Sequence, residues 1–229
     1  MTTAQPTLTG PRHAPRSGRT KSLVILLHGY GADGNDLIGL ADPLSSYMPD
    51  TAFRAPNAPE RCRVNPMGYQ WFPISWIDGS PESEMQAGFT RAAGVLDAYI
   101  TAAMAEEGVE PHETALVGFS QGTMMSLHVA PRREAALAGV VGFSGRLNAP
   151  ERLAAEARVK PPVLLIHGDR DEVIPVGALR EAHDALAAAG FPVAAHVSRG
   201  TGHGIAPDGL GLALGFLMDR FGIERPVEA

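Results

Sequence analysis

Short apolar runs alternate with helical patterns along most of this chain, and this alternation limits the folds that it can adopt. The first run, "SLVILLH", extends from Ser22 to His28. Five more follow: "TAFRAP" near Thr51, "TALVGF" near Thr114, "AGVVGF" near Ala138, "PVLLIH" near Pro162 and "PVAAHV" near Pro192. Such runs are typical of strands that are buried on both faces. The alternation therefore predicts an α/β fold, with a mostly parallel central sheet and helices on both faces.

Apolar residues at helical spacing mark the longer helices. One begins near Ser83, where Ser83 and Gln86 resemble a capping box, and Gly108 is placed to close its far end. Two further helices follow the fifth and sixth apolar runs. The last of them is expected to have Asp208 as its N-cap and Gly222 just after its end.

The chain has 229 residues and 45% hydrophobic content, enough to bury one sizeable core. We expect residues 22–222 to form a single domain with no separate cap domain, because the stretch between the fourth and fifth apolar runs is short. Residues 1–21 are expected to be a flexible tail or an edge hairpin, and residues 223–229 a frayed end. One long irregular stretch, Pro56–Pro81, is rich in aromatic residues and is expected to wall or cover a site.

Charge and cysteine content exclude several classes of partner. The formal net charge is −6 and the basic residues are scattered, which argues against nucleic acid and against an anionic membrane surface. Cys62 is the single cysteine, so an internal disulfide is impossible and a reducing compartment fits. No apolar core of a signal peptide and no apolar run of membrane-spanning length is present in the sequence. These features predict a cytoplasmic protein without stable membrane insertion.

The sequence "GFSQG" places Ser120 between Gly118 and Gly122, after a predicted strand and before a predicted helix. This context matches the nucleophile elbow, a sharp strand-to-helix turn that exposes a serine hydroxyl. The bare pattern is a weak signal in a chain with 26 glycines, and its context strengthens it. A serine also needs a base, and the base needs an acid that orients it.

Candidates for the acid and the base follow later strands, in the chain order that α/β-hydrolases use. "HGDRDEVIP" supplies Asp169 and Asp171 just after a buried strand, at the sheet edge where ligands bind in α/β folds. Asp171 is favoured, although spacing alone does not decide between the two. "SRGTGHGI" places His203 among small residues, where an imidazole has room to reach across a site. His128, on the helix after the elbow, is interpreted as a partly buried histidine with satisfied hydrogen bonds.

A rival interpretation comes from "LLHGYGADGND", whose glycines also fit the dinucleotide-binding fingerprint. The glycines are Gly29, Gly31 and Gly34. That fingerprint requires an acidic residue at the end of the second strand, whereas Asp50 precedes its strand. It also leaves the serine, acid and histidine unexplained. In a hydrolase, the same glycines bring the backbone past the serine, so that the amides of Tyr30 and Gln121 form an oxyanion hole.

Together, "LLHGYGADGND", "AP" followed by "WFPI", "GFSQGTMM", "HGDRDEVIP" and "GTGH" resemble the phospholipase/carboxylesterase family of α/β-hydrolases. This family includes bacterial carboxylesterases and acyl-protein thioesterases, and the resemblance covers the chain from about Ser22 to Phe221. It implies a Ser120, Asp171 and His203 triad, with Asp171 rather than Asp169 as the acid. It also implies a small-molecule ester as substrate, no cofactor, and a homodimer as a candidate assembly. No metal site is expected, because the sequence has no H-E-x-x-H and the carboxylate pair lacks histidines at ligand spacing.

The sequence departs from the family pattern near the predicted site. Tyr30 stands where an aliphatic residue is common, and "WFPISW" replaces a more usual "WFDI". We therefore expect an open site for small esters. The "WFPI" segment and the helix after the elbow are expected to supply its walls, through Trp71, Phe72, Ile74 and Met124. The predicted function is a serine carboxylesterase for short to medium acyl esters, whose activity falls on acidification because His203 must be neutral. The alternatives are a thioesterase or lysophospholipase for longer chains, and a catalytically silent binding protein.

Overall fold

The structure, a computed structural model, describes residues 8–224 of the chain. Expectations for residues 1–7 and 225–229 lie outside the described residues. The described strands are β1 (Arg12–His13), β2 (Ser22–Leu27), β3 (Thr51–Arg54), β4 (Glu60–Arg61), β5 (Tyr69–Gln70), β6 (Thr114–Phe119), β7 (Gly139–Phe143), β8 (Val163–Gly168) and β9 (Val193–Ser198). All six strands predicted from apolar runs are present as β2, β3 and β6 to β9.

The described helices lie between strands, except the last, which follows β9. They are α1 (Gly34–Ile38), α2 (Ala41–Ser45), α3 (Ser75–Asp78), α4 (Glu82–Glu107), α5 (Gln121–Val129), α6 (Pro150–Glu156), α7 (Gly177–Ala188) and α8 (Pro207–Phe221). Only α6 lies between β7 and β8, so the described structure has no cap domain inserted there. No helix in residues 8–224 is both long and apolar enough to cross a membrane.

Seven strands form one sheet in the order β1-β3-β2-β6-β7-β8-β9. Every neighbouring pair is parallel except β1 and β3, which are antiparallel. Along β2, Leu23 and Ile25 pack with α4 and α5, whereas Val24 packs on the opposite face with α1, α2 and α8. Side chains alternate between the faces of a strand, so a strand buried on both faces must be apolar throughout. This arrangement confirms the predicted fold class.

The predicted end of α4 is confirmed and its observed start at Glu82 is close to the predicted one, but the predicted capping box is wrong. Gly108 caps the C-terminus in the left-handed conformation, with a φ of 68°. At the other end, Pro81 is the N-cap and no side chain caps the helix, so Ser83 and Gln86 form no capping box. The helix starts earlier than its apolar periodicity indicates because Glu82 and Ser83 form an exposed first turn.

At α8 as well, the predicted C-terminal end is confirmed and the predicted N-cap is wrong. Gly222 ends the helix with a φ of 65°, as expected. The N-cap is Ala206 and not Asp208, because Pro207 occupies the first helical position, where its restricted φ suits a helix start. Asp208 lies instead within the first turn, where its carboxylate is 2.7 Å from His196 Nε2.

The stretch from Pro56 to Pro81 has more regular structure than its sequence indicates. It contains the antiparallel ribbon of β4 and β5 and the one-turn helix α3. The amide of Gly31 donates to the carbonyl of Tyr69, and the amide of Tyr69 donates to the carbonyl of Ala32. The ribbon is therefore held against the loop that follows β2, at the carboxyl edge of the sheet.

Candidate active site

Ser120 sits in a strained turn between β6 and α5. Its φ of 54° and ψ of −113° lie in a region that residues with a side chain rarely adopt. The Ser120 amide donates to the carbonyl of Phe143 at 2.8 Å, which ties the turn to the neighbouring strand β7. The turn presents the hydroxyl at the carboxyl edge of the sheet, in the way that a nucleophile elbow does.

Both glycines of "GFSQG" are required by contacts across the turn. A Cβ atom on Gly118 would lie 2.5 Å from backbone atoms of Gly122. A Cβ atom on Gly122 would lie 1.9 Å from the carbonyl oxygen of Leu27 on β2. Because these obstacles are backbone atoms, a side chain at either position forces the turn or the strand to move.

His203 bridges Ser120 and Asp171. Its Nδ1–H donates to Oδ2 of Asp171 at 2.7 Å, which leaves Nε2 to accept from the Ser120 hydroxyl at 3.0 Å. The imidazole packs beside the ring of Phe119, with 4.9 Å between the ring centroids. The structure therefore brings together the three residues that the sequence nominated, from loops after β6, β8 and β9.

Asp171 is held as a buried carboxylate. Its Oδ1 accepts hydrogen bonds from the amides of Val173 and Ile174, each at 2.9 Å. Burial by itself raises the pKa of Asp171, but the hydrogen bonds from His203 and from the two amides outweigh burial and lower that pKa below its ordinary value. The carboxylate is thus ionised and directed at Nδ1 of the imidazole.

Asp169, the other candidate acid, is directed elsewhere. Its Oδ1 accepts from the amide of Gly200 at 2.6 Å, in the loop that leads to His203. Sequence reasoning did not foresee a second histidine at Asp171: Nε2 of His167 donates to the carbonyl of Ile174 at 2.8 Å and lies 3.2 Å from Asp171 Oδ2. The position of His167 at the end of β8 was the available signal, because strand ends meet at the site.

His28 shapes the loop that contains Tyr30. Its Nδ1–H donates to the carbonyl of Gly29 at 2.7 Å, and its Nε2 accepts from the amide of Ala58 at 2.9 Å. Burial is the main cause that lowers the pKa of His28, so the ring is neutral and keeps one donor and one acceptor. This pairing orients the backbone just before the Tyr30 amide.

The side chain of Gln121 has a structural role that the sequence did not reveal. Its Oε1 accepts from the amide of Trp71 at 2.8 Å, and its Nε2 donates to the carbonyl of Phe72 at 2.8 Å. Gln121 is fully buried. It is also the first residue of α5, and the first amides of a helix have no intrahelical acceptor. The residue therefore offers its N–H beside Ser120 while its side chain anchors the segment after β5.

Ser120 opens into a cleft of about 380 Å³. Its wall includes the predicted oxyanion residues Tyr30 and Gln121 and the predicted substrate residues Ile74 and Met124. Further lining residues were not nominated from the sequence: Trp76, Ile77, Arg146, Val173, Ile174 and Pro175. They come from helix α3, the loop after β7 and the loop after β8, so no local pattern could have grouped them.

Two of the predicted wall residues lie elsewhere. Trp71 does not reach the cleft: it is fully buried, and its indole N–H donates to the carbonyl of His28 at 3.0 Å. Phe72 does not line the cleft but a second cavity of about 620 Å³. That cavity adjoins the cleft, because Ile74, Met124 and Arg146 are among the residues that line both. Within residues 8–224, no group of three or more His, Cys, Asp or Glu side chains is arranged to hold a metal ion.

Comparison with known proteins places the chain in a family. The phospholipase/carboxylesterase model matches residues 12–219. The chain belongs to the phospholipase/carboxylesterase family. Members of this family are carboxylic ester hydrolases, and the chain is an enzyme of that class.

The sequences and structures of individual relatives support this family assignment. A probable carboxylesterase of Oryza sativa subsp. japonica is 30% identical over 212 residues, covering 86% of this chain and 77% of the relative. An acyl-protein thioesterase 1 of Gibberella zeae is 27% identical over 219 residues, covering 89% of this chain and 92% of the relative. The crystal structure of esterase PE8 is 47% identical with a TM-score of 0.88, covering 93% of this chain and 99% of that one.

Proposed function

We propose that this family member is a serine carboxylesterase that hydrolyses short to medium acyl esters through an acyl-enzyme intermediate. One observation carries the proposal: an unbroken series of hydrogen bonds from the Ser120 hydroxyl through His203 to the buried carboxylate of Asp171. A serine hydroxyl becomes nucleophilic when an oriented imidazole accepts its proton.

In the first half of the reaction, Ser120 Oγ attacks the ester carbonyl and Nε2 of His203 takes the hydroxyl proton. The carbonyl oxygen becomes an oxyanion, which the amides of Tyr30 and Gln121 bind. The tetrahedral intermediate then collapses, the carbon–oxygen bond to the alcohol breaks, and Nε2 gives its proton to the departing alkoxide. Asp171 stabilises the protonated imidazole during these steps.

In the second half, water replaces the alcohol. Nε2 of His203 removes a proton from the water as its oxygen attacks the acyl carbon. Collapse of the second tetrahedral intermediate returns the proton to Ser120 Oγ and releases the carboxylic acid. The hydrogen bonds at His203 support these roles. Nδ1–H donates to Asp171, so Nε2 is the nitrogen that exchanges a proton with Ser120 and with water.

Longer acyl esters or thioesters are a second candidate. The cavity that adjoins the cleft favours them, since a chain bound at Ser120 could extend past Met124 into it. Comparing p-nitrophenyl acetate, butyrate and decanoate with p-nitrophenyl palmitate and a long-chain acyl thioester separates the two candidates. The short and medium esters, up to decanoate, should have the higher kcat/KM under the first proposal, and palmitate and the thioester under the second.

Labelling with a fluorophosphonate probe, followed by mapping of the modified peptide, tests the whole assignment. The expected adduct is on Ser120, with no adduct in Ser120→Ala. If the wild-type chain neither reacts with the probe nor hydrolyses any of these substrates, it is a silent binding protein and the proposal fails.

A further inference from the structure

The second cavity contains a histidine that the proposed reaction does not use. His128 lies on α5 and is one of the residues that line the cavity. The centroid of its imidazole is 4.5 Å from that of the Phe89 ring. No described residue hydrogen-bonds to either ring nitrogen, so the expectation of a histidine with satisfied hydrogen bonds is wrong. Nδ1 is shut off from solvent and therefore from any molecule in the cavity. Nε2 is not among the buried atoms, and it is the nitrogen that a ligand in the cavity can reach.

Three of the charged residues that line this cavity, Arg132, Arg152 and Glu156, are paired with each other. Arg132 donates to Glu156 at 2.5 Å and to the carbonyl of His128 at 2.7 Å, and Arg152 also lies 2.5 Å from Glu156. Burial, and after it the charge of Arg132, lower the pKa of His128 to about 4, so the ring is neutral near pH 7. A neutral imidazole suits an uncharged oxygen better than a carboxylate.

The position of His128 on α5 gives its approximate distance from the proposed nucleophile Ser120. Ser120, Met124 and His128 are spaced four residues apart and so share one face of the helix. Eight residues of α-helix rise about 12 Å. Three atoms of an extended chain advance roughly 3.5 Å, so about ten carbon atoms span this distance.

The direction of proton transfer determines which half of the ester lies towards the second cavity. His203 must protonate the leaving alcohol, so the alcohol lies on the His203 side of Ser120, where Val173 also lines the cleft. Neither His203 nor Val173 lines the second cavity, which begins at Ile74 and Met124. The cavity therefore faces the acyl half.

We propose that the second cavity holds the acyl chain and that His128 binds a hydroxyl or other uncharged oxygen on that chain, roughly ten carbons from the ester carbonyl. The preferred substrates are then medium-chain acyl esters with an oxygen near the far end. The apolar part of the chain lies against Ile74, Met124 and Phe72. This inference rests on the proposed esterase function and specifies its substrate class.

The test compares two substrates that differ by one hydroxyl, p-nitrophenyl 10-hydroxydecanoate and p-nitrophenyl decanoate, below their aggregation concentrations. The quantity measured is the ratio of their kcat/KM values. One hydrogen bond corresponds to about a five-fold effect, so the ratio should fall about five-fold in His128→Phe, which keeps the aromatic contact with Phe89. His128→Leu should lower it similarly, and His128→Gln, which keeps an N–H donor, should lower it less.

His183→Phe is the matched control, because His183 pairs with Asp184 on the surface of α7 and lines neither cavity. It should keep the wild-type ratio. An equal ratio in the wild type, His128→Phe and His128→Leu would overturn the inference. Hydrolysis of p-nitrophenyl acetate by the wild type, and its loss in Ser120→Ala, reports separately on the esterase function itself.

Discussion

The phenol of Tyr30 donates a hydrogen bond to Oδ2 of Asp78 across 3.0 Å. The same carboxylate accepts from the amides of Ile74 and Ser80, which closes the turn around α3. Burial by itself raises the pKa of Asp78, but the hydrogen bonds outweigh burial and keep it below its ordinary value. Tyr30 therefore connects the proposed oxyanion loop to the short helix that carries Trp76.

Removing the Tyr30 hydroxyl tests whether this connection matters for the reaction. Tyr30→Phe keeps the backbone amide but removes the hydrogen bond between Tyr30 and Asp78 of α3. We therefore expect kcat to fall about three- to ten-fold, as one lost hydrogen bond allows, with the fold retained. Steady-state kinetics on p-nitrophenyl butyrate and a circular dichroism spectrum measure both quantities. Tyr47→Phe, at an exposed tyrosine, is the control and should match the wild type. Unchanged kcat in Tyr30→Phe would show that the link is dispensable.

The sequence predicted the sheet and the three residues at its carboxyl edge because each signal was local. Ser120, Asp171 and His203 each follow an apolar run, and the chain order of serine, acid and histidine needs no long-range information. The walls of the cleft depend on contacts between segments far apart in the chain, such as Arg146 over the ring of Trp76 at 5.0 Å. Trp71 was misplaced for the same reason, since its partner at His28 is remote in sequence.

The two aspartates after β8 provide a matched pair of variants. Asp171→Asn removes the charge beside His203 Nδ1 and disturbs the tautomer, so under the proposed mechanism kcat should fall on the order of 10³- to 10⁴-fold. Asp169→Asn should leave kcat within a few-fold of the wild type, because Asp169 contacts Gly200 and not the imidazole. Stopped assays on p-nitrophenyl acetate at pH 8 measure both. Equal losses in the two variants would contradict the assignment of Asp171.

The Gln121 side chain should contribute to stability as well as to the site. Gln121→Leu leaves the amide of Trp71 and the carbonyl of Phe72 without their buried partner. We expect the free energy of unfolding to fall by about 2–4 kcal/mol, since each stranded buried group costs roughly 1–3 kcal/mol. Urea denaturation followed by tryptophan fluorescence provides the measurement. Gln86→Leu, at an exposed position of α4, should change it by less than about 0.5 kcal/mol.

Two glycines of similar helical context should respond in opposite ways to alanine. Gly122→Ala places a Cβ atom 1.9 Å from the carbonyl of Leu27, so we expect loss of soluble folded protein or destabilisation by more than about 3 kcal/mol. Gly211→Ala, inside α8 with open space around it, should be neutral or stabilising by up to about 1 kcal/mol. Thermal melting of both variants measures the change in stability. A stable Gly122→Ala protein would mean that the elbow packs less tightly against β2.

Acid stability should depend on Glu107, at the end of α4. Arg12 donates to both of its carboxylate oxygens at 2.7 and 2.8 Å, and Arg54 donates to one at 2.7 Å. The hydrogen bonds from Arg12, opposed by burial and assisted by Arg54, lower the pKa of Glu107 to about 2. A depressed pKa stabilises the folded state above the ordinary glutamate range near 4.5, and this stabilisation disappears as the pH falls towards 2.

Glu107→Gln should therefore destabilise the protein on the order of 2 kcal/mol at pH 7, and the difference from the wild type should shrink steadily below about pH 4.5. Urea unfolding at a series of pH values between 7 and about 3 measures this convergence. Glu134→Gln is the control, since the Glu134 side chain is 90% exposed and lies 3.8 Å from Arg158, so its curve should follow the wild type throughout. If the Glu107→Gln deficit stayed constant down to pH 3, the lost stability would come from packing and not from the ionised carboxylate.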